Sequence, residues 1–181
     1  MHATLCDMIM DLVQNSIEAD ASEITLSVEE TEEKLMVVIT DNGKGMSAET
    51  LEKVKDPFYS DGLKHRHRKV GLGLPFLFQT AEMTGGTAGI ESQEGVGTTV
   101  TFTLDRSNVD VPMFGDFTTA AMTLMTYGFD VNLKIERSIG EKNYAISRAE
   151  LNDALGDLND AESLVLLKEF IASQEADLGT L

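Results

Sequence analysis

Two aspartates and an asparagine near the start of the chain have a spacing that could place them around a cation. Asp7, Asp11 and Asn15 follow one another at intervals of four residues, which puts them along one side of a helix. A second stripe at helical spacing is apolar and predicts that helix; it consists of Leu5, Ile9, Leu12, Val13 and Ile17. Neighbouring aspartates on an isolated helix repel by about 0.2–0.5 kcal/mol, which a bound cation would offset. A solvated acidic face is the alternative interpretation of this stripe.

A second polar cluster follows the apolar run from Leu35 to Thr40, which is typical of a central strand. The run ends in Asp41-Asn42-Gly43-Lys44-Gly45. Two glycines in this position would let the backbone approach a ligand closely, because they carry no side chain. A plain loop after a strand is the alternative interpretation.

A third cluster combines cations with glycines. Residues 64–69 read Lys-His-Arg-His-Arg-Lys, and Gly71-Leu72-Gly73-Leu74 follows directly before a predicted helix with Pro75 in its first turn. Helix N-termini and cationic side chains both favour phosphate groups. The segment matches neither the Walker loop nor the Rossmann fingerprint. The two histidines lack neighbouring ligands, so we interpret them as loop residues rather than metal ligands.

The overall charge limits the class of partner. The chain of 181 residues has a formal net charge of −17, which argues against binding to nucleic acid or to an anionic membrane surface. It contains no apolar run of about 20 residues and no signal-peptide pattern, and Cys6 is its one cysteine. We therefore expect a cytoplasmic protein, with Cys6 as a core residue of the first helix.

The remaining segments predict a sheet followed by a region without chemical motifs. Alternating patterns predict strands at 23–29, 88–93 and 98–104. Residues 105–111 are polar and predict a linker. Beyond Pro112 the pattern predicts a helix, a strand hairpin and two further helices, the first of which has the capping-box pair Ser147 and Glu150. We interpret the apolar stripes of this region as structural, and a docking surface for a partner or a second copy is the alternative.

Taken together, these segments resemble the Bergerat-fold (GHKL) ATP-binding superfamily, which includes histidine kinases, type II topoisomerases and MutL-type repair proteins. The resemblance covers residues 5–104 and rests on five pieces in the family's order. These are Asp11-Leu-Val-Gln-Asn15-Ser-Ile-Glu-Ala (N box, closest to the MutL and topoisomerase version), Asp41-Asn-Gly-Lys-Gly45-Met (G1 box), Asp56-Pro-Phe-Tyr (F box), Gly71-Leu-Gly-Leu74 (G2 box) and the strand ending Gly97-Thr98-Thr-Val-Thr-Phe-Thr-Leu. Each piece alone is weak, but the five in order are specific.

The resemblance implies a role for each site residue. Asn15 would coordinate the magnesium that bridges the phosphates of ATP, and Asp41 would accept a hydrogen bond from the adenine amino group. The purine would be flanked by Gly43, Gly45, Met46 and Thr98. The phosphates would be enclosed by Lys69, Gly71, Leu72, Gly73 and Leu74, with the glycines hinging a basic lid. Asp11 matches the position of the glutamate that activates water in hydrolysing members, and its shorter side chain implies either weak hydrolysis or the need for a partner that reshapes the site.

The sequence also departs from the family's better-known members. A histidine kinase carries a phosphoacceptor histidine on a helix ahead of this domain, and the stretch before Asp11 is too short for one. Glu18 stands where kinases often have a lysine. The transducer domain of topoisomerases and MutL proteins is not recognisable in residues 105–181. We therefore expect an isolated nucleotide-binding module that acts with a separate protein.

These observations predict an α+β protein, a two-layer α/β sandwich with helices on one face of a mixed sheet. Its ATP-binding domain would span 1–105, and a small α+β C-terminal region of unknown role would span 112–181. A homodimer through this C-terminal region is an alternative to a monomer. The expected ligands are ATP or ADP with Mg²⁺, and the expected activity is weak ATPase or phosphotransfer with a separate partner protein. The alternatives are a protein kinase of the anti-sigma or split histidine kinase type, a non-hydrolysing nucleotide switch, and a plain acidic scaffold.

Overall fold

The structure, a computed structural model, describes residues 4–55, 73–127 and 130–180. Several predicted features lie outside these residues: the F box, the basic segment 64–69 with Lys69, the G2-box residues Gly71 and Leu72, and the helix end predicted at Gly128. Their roles stay predictions.

The described residues form six helices and six strands. The helices are α1 (Leu5–Glu18), α2 (Ala48–Lys55), α3 (Gly73–Met83), α4 (Phe117–Thr126), α5 (Arg148–Leu155) and α6 (Ala161–Leu178). The strands are β1 (Glu23–Glu30), β2 (Lys34–Asp41), β3 (Thr87–Gln93), β4 (Gly97–Asp105), β5 (Asn132–Ile139) and β6 (Lys142–Ser147). These bounds confirm the α+β class and agree with the predicted strands to within about two residues at each end.

The strands form one mixed sheet in the order β3-β4-β2-β1-β5-β6. β1 and β5 are parallel, and every other neighbouring pair is antiparallel. The two strands of the C-terminal region therefore extend the same sheet that carries the N-terminal motifs. The division into 1–105 and 112–181 stays a prediction about the sequence, but the two parts share this sheet.

One face of the sheet is buried beneath the helices. Alternate residues of neighbouring strands lie in register on this face: Ile24, Leu26 and Val28 of β1, Val37 and Ile39 of β2, Val100, Phe102 and Leu104 of β4, and Leu133 and Ile135 of β5. α1 and α3 pack on each other and on this face, and α4 and α6 continue the layer over β5 and β6. The predicted two-layer arrangement is thereby confirmed.

A buried cation joins the C-terminal region to the rest of the sheet. Arg137 of β5 is 2% exposed; it pairs with Glu30 of β1 and lies 3.5 Å from Glu175 of α6. Its guanidinium also stacks over the rings of Phe114 and Phe117, at 4.9 and 5.1 Å from the ring centroids. Because a buried charge is tolerated only when it is paired, this cluster requires all these elements to be in place.

The start of α1 is fixed from two directions. Thr4 caps the helix, and the side chain of Asp7 accepts hydrogen bonds from the Thr4 N–H and hydroxyl, both at 2.9 Å. The N–H groups of Leu5 and Cys6 donate to the carbonyls of residues 113 and 114, in the segment just before α4. Asp7 thus serves as a capping residue at the positive end of the helix, a role that the stripe of Asp7, Asp11 and Asn15 did not indicate.

Cys6 lies in the core as predicted, with 4% of its surface exposed. Burial raises the pKa of its thiol to about 12, with a smaller opposing effect from the positive charge of Arg137. The thiol is therefore protonated at neutral pH, which agrees with a packing role. Among the described residues, no helix has the length and apolar character needed to cross a membrane.

The shared sheet predicts that the chain unfolds as one cooperative unit. Ile135→Ala in β5 removes a fully buried side chain that lies beside Leu26 of β1, so we expect the free energy of unfolding to fall by about 2–5 kcal/mol in a single transition. Denaturant unfolding followed by circular dichroism measures this. The control Val165→Ala changes a side chain that is 57% exposed and should cost less than about 0.5 kcal/mol. Two separate transitions, with only one affected, would contradict the prediction.

Candidate functional site

A cavity of about 240 Å³ lies between α1, the loop after β2, strands β3 and β4, and the start of α3. Six of the predicted site residues line it: Asn15, Asp41, Gly45, Met46, Leu74 and Thr98. Apolar walls come from Leu12, Ala19, Ile90 and Val100, and further polar groups from Ser16, Glu18 and Lys44. An apolar slot with a few polar groups is the usual form of a small-molecule site.

The carboxylate of Asp41 is buried, with 8% of the residue exposed, and three donors hold it. Its Oδ2 accepts a hydrogen bond from the Ser16 hydroxyl at 2.6 Å. Its Oδ1 accepts from the backbone N–H groups of Gly43, at 2.9 Å, and Thr98, at 3.2 Å. Oδ2 has one partner among the described residues, so it retains a lone pair for a donor in the cavity.

Ser16 is a site residue that the sequence reading did not identify. It is 5% exposed, lines the cavity and orients Asp41 from the adjacent helix. The signal in the sequence that could have identified Ser16 is its position, one residue after Asn15 and one helical turn before Ala19. A hydroxyl on the buried face of a helix needs a partner, and the strand-end carboxylate of Asp41 provides one.

Glycines in this region allow close contacts between backbone segments. A Cβ on Gly45, which has φ +61°, would lie 1.9 Å from the Gln93 carbonyl oxygen. A Cβ on Gly97, which has φ +140°, would lie 2.0 Å from the Asp41 carbonyl oxygen, and one on Gly43 would lie 2.6 Å from that of Ala19. These positions therefore need glycine for the fold itself, in addition to any approach of a ligand.

Side-chain hydrogen bonds hold the two ends of the loop that follows β2. Asn42 accepts from the N–H groups of Ser22 and Glu23, both at 2.9 Å, which ties the loop to the start of β1. Ser92 of β3 accepts from the Met46 N–H at 2.9 Å, and its hydroxyl lies 2.9 Å from that of Thr98. Ser92 thus links Met46 and Thr98, both of which line the cavity.

The other end of the cavity lies where α3 meets α1. A Cβ placed on Gly73 would lie 3.5 Å from the Cβ of Asp11 and 3.9 Å from Nδ2 of Asn15. Asp11 is exposed and is not among the lining residues of the cavity, so the structure places it beside the site rather than within it. Where the chain is described, no three His, Cys, Asp or Glu side chains are arranged to hold a metal ion by themselves.

The structure therefore brings most of the predicted residues together. Gly43 and Gly73 adjoin the six predicted residues that line the cavity, through Asp41 and Asn15 respectively. Lys69, Gly71 and Leu72 lie outside the described residues. The functional roles of all these residues stay predictions.

Residues 2–108 match the family model described as histidine kinase-, DNA gyrase B- and HSP90-like ATPase. Similar curated proteins include the histidine protein kinase DivJ of Caulobacter vibrioides, which is 33% identical over 103 residues, and the sensor histidine kinase WalK of Bacillus subtilis, which is 37% identical over 103 residues. Each match covers 55% of this chain and 17% of the relative.

The fold is also similar to a crystal structure of the N-terminal domain of a DNA repair protein. The TM-score is 0.56 at 16% sequence identity, and the match covers 90% of this chain and 59% of the other. This likeness concerns the fold alone, and it extends into the C-terminal region. The family match, with the cavity and its buried carboxylate, identifies this chain as a member of the histidine kinase-, DNA gyrase B- and HSP90-like ATPase family, whose domains bind ATP.

Proposed function

We propose that the cavity binds Mg-ATP, and that the chain hydrolyses it slowly or transfers its γ-phosphoryl group in concert with a separate partner protein. The observation that carries this proposal is the buried carboxylate of Asp41. Three donors fix its position at the cavity wall, and one lone pair of Oδ2 stays available. A fixed acceptor of this kind fits the exocyclic amino group of adenine.

The walls of the cavity suit a purine ring. Ile90 and Val100 provide apolar surface from β3 and β4, and Leu12 provides it from α1. Burying the ring against these side chains contributes hydrophobic free energy, whereas Asp41 supplies the direction and the choice of base. Gly45 and Met46, which the family resemblance implies beside the purine, also line the cavity.

The phosphate chain would extend towards the junction of α1 and α3. The side chain of Asn15 lines the cavity there, and its amide oxygen can serve as a ligand for Mg²⁺. Because this ion usually keeps several water molecules and binds substrate phosphates, one protein ligand is sufficient. When bound, it would neutralise charge on the phosphates during phosphoryl transfer.

Asp11 is our proposed general base. The start of α3 at Gly73 approaches α1 beside Asp11 and Asn15, so the Cβ of Asp11 lies beside the end of the cavity that we assign to the phosphates. A base there could accept the proton of an attacking water molecule. The aspartate side chain is one methylene shorter than glutamate, which supports slow hydrolysis.

A protein kinase acting on a separate protein is the second candidate. It is favoured by the identity of 33–37% to segments of two histidine kinases. Incubation with ATP labelled on the γ-phosphate, with and without cell extract, separates the possibilities. Free labelled phosphate indicates hydrolysis, and label on another protein indicates kinase activity. Nucleotide binding without either product indicates a switch.

Replacing Asn15 tests the metal end of the site. We expect Asn15→Ala to lower the affinity for ATP in the presence of Mg²⁺ at least tenfold, because the ion loses its protein ligand. Isothermal titration calorimetry measures this, and circular dichroism verifies the fold. Asn143→Ala makes the same change on the exposed part of β6 and should bind normally. Unchanged affinity of Asn15→Ala would argue against the metal assignment.

Replacing Asp41 tests the choice of base. In Asp41→Asn the amide oxygen can still accept from Gly43 and Thr98, but the amide nitrogen then occupies the position of Oδ2 and presents a donor to the adenine amino group. We expect ATP affinity to fall about tenfold or more, a loss of roughly 1–3 kcal/mol, and the preference for ATP over GTP to decrease.

The matched control is Asp153→Asn, which makes the same change at an exposed position of α5. Titrations of Asp41→Asn, of this control and of the unaltered chain with ATP and GTP measure the preference for ATP. Equal binding of ATP and GTP by the unaltered chain would contradict the role of Asp41.

Replacing Asp11 tests the chemical step. We expect Asp11→Ala to lower the rate of phosphate release about 100-fold or more while leaving ATP affinity within a few-fold, since a general base contributes about 10²–10⁴-fold. Asp11→Glu restores the longer carboxylate and should hydrolyse faster than the unaltered chain. Phosphate release under single-turnover conditions measures both rates. Hydrolysis by Asp11→Ala at the original rate would exclude the proposed role.

A further inference from the structure

Glu18 is a cavity residue for which neither the motifs nor the fold supply a role. It lies three residues after Asn15, on the side of α1 that also carries Asp11. Residues at this spacing on a helix have Cβ atoms about 5–6 Å apart. Both Asn15 and Glu18 line the cavity, so a ligand at Asn15 lies within reach of the Glu18 carboxylate.

Within the described residues, the contacts of Glu18 leave one carboxylate oxygen available. Oε1 accepts a hydrogen bond from the side-chain amide of Gln14 at 3.1 Å, which draws the side chain back along the helix towards the turn that holds Asn15. No partner of Oε2 occurs in the described part of the chain. The ammonium group of Lys44 lies 3.5 Å from the backbone oxygen of Glu18, and it forms no ion pair within 4.0 Å of the carboxylate among these residues.

A carboxylate in this position has opposite effects on the two forms of ATP. It repels the bare triphosphate, because both are negative. A magnesium ion between the two reverses the effect, because its bound water molecules present hydrogen-bond donors and Glu18 has an acceptor ready. Outer partners of this kind typically change metal affinity 10–100-fold.

We propose that Glu18 makes nucleotide binding conditional on magnesium. Its carboxylate accepts hydrogen bonds from water molecules on the ion that Asn15 coordinates, and it disfavours ATP without the ion. This inference rests on the proposed function, because it requires Mg-ATP in this cavity with the phosphates near Asn15. It assigns Glu18 as a positioning residue and a determinant of the form of nucleotide that binds.

The test measures ATP affinity with excess Mg²⁺ and with EDTA, for the unaltered chain and for Glu18→Gln. Glutamine keeps the size and an acceptor oxygen but removes the charge. We expect the variant to bind Mg-ATP about tenfold more weakly and metal-free ATP a few-fold more tightly. The ratio of the two affinities should therefore fall at least tenfold. Unfolding curves should be unchanged, since Glu18 is exposed.

Glu29→Gln is the matched control, because it removes the same charge from an exposed residue of β1 that does not line the cavity. The ratio of its affinities with and without Mg²⁺ should equal that of the unaltered chain. A fall in this ratio similar to that of Glu18→Gln would show that net charge alone is responsible, which would overturn the proposal. An equal loss of affinity with and without Mg²⁺ in Glu18→Gln would also overturn it, because Glu18 would then contact the nucleotide itself. An unchanged ratio of the two affinities in Glu18→Gln would also overturn the proposal. Failure of the unaltered chain to bind ATP in either condition would instead refute the proposed function.

Discussion

The arrangement of this site depends on one buried carboxylate. Asp41 terminates β2 inside the protein, where an unpaired charge would be strongly unfavourable. Its three donors come from three different parts of the fold: the hydroxyl of Ser16 on α1, the backbone of Gly43 in the following loop, and the backbone of Thr98 on β4. Satisfying this one group therefore fixes the helix, the loop and the strand relative to one another, and these are the walls of the cavity.

Because the chain is strongly acidic, the binding of an anionic ligand would depend on the local contacts of the cavity. A protein of net charge −17 gains no general attraction for an anionic ligand. Among the described lining residues, Asp41 and Glu18 are acidic and Lys44 is the one basic residue. In the proposed Mg-ATP complex, recognition would therefore rest on local contacts: a directed acceptor for the base, apolar walls for the ring, and an oxygen ligand for the cation. The shape of the site and its hydrogen bonds, rather than its overall field, would then carry the selectivity.

The sequence predicted the parts of the fold that have local patterns. The alternation at Ile24, Leu26 and Val28 identified β1 and its buried face, and the stripe from Leu5 to Val13 identified α1. It did not predict that β5 pairs with β1, because a parallel pair between residues such as Glu23 and Asn132 leaves no local signal. Motifs in the sequence predicted Asn15 and Asp41 as site residues, and both line the cavity, whereas their roles stay predictions. Ser16 was missed, because its role appears only once the helix faces the end of β2.

The parallel pairing of β1 with β5 also has a consequence for biosynthesis. During translation, β1 emerges from the ribosome about a hundred residues before β5. Until then, the backbone groups along the edge of β1 that faces β5 have no strand partner. Until residues 132–139 are made, the nascent sheet exposes the apolar side chains that Leu133 and Ile135 later cover. At a synthesis rate of about 5–20 residues per second, this interval lasts about 5–20 seconds. The nascent chain is therefore most vulnerable to self-association and to chaperone capture before β5 has been made.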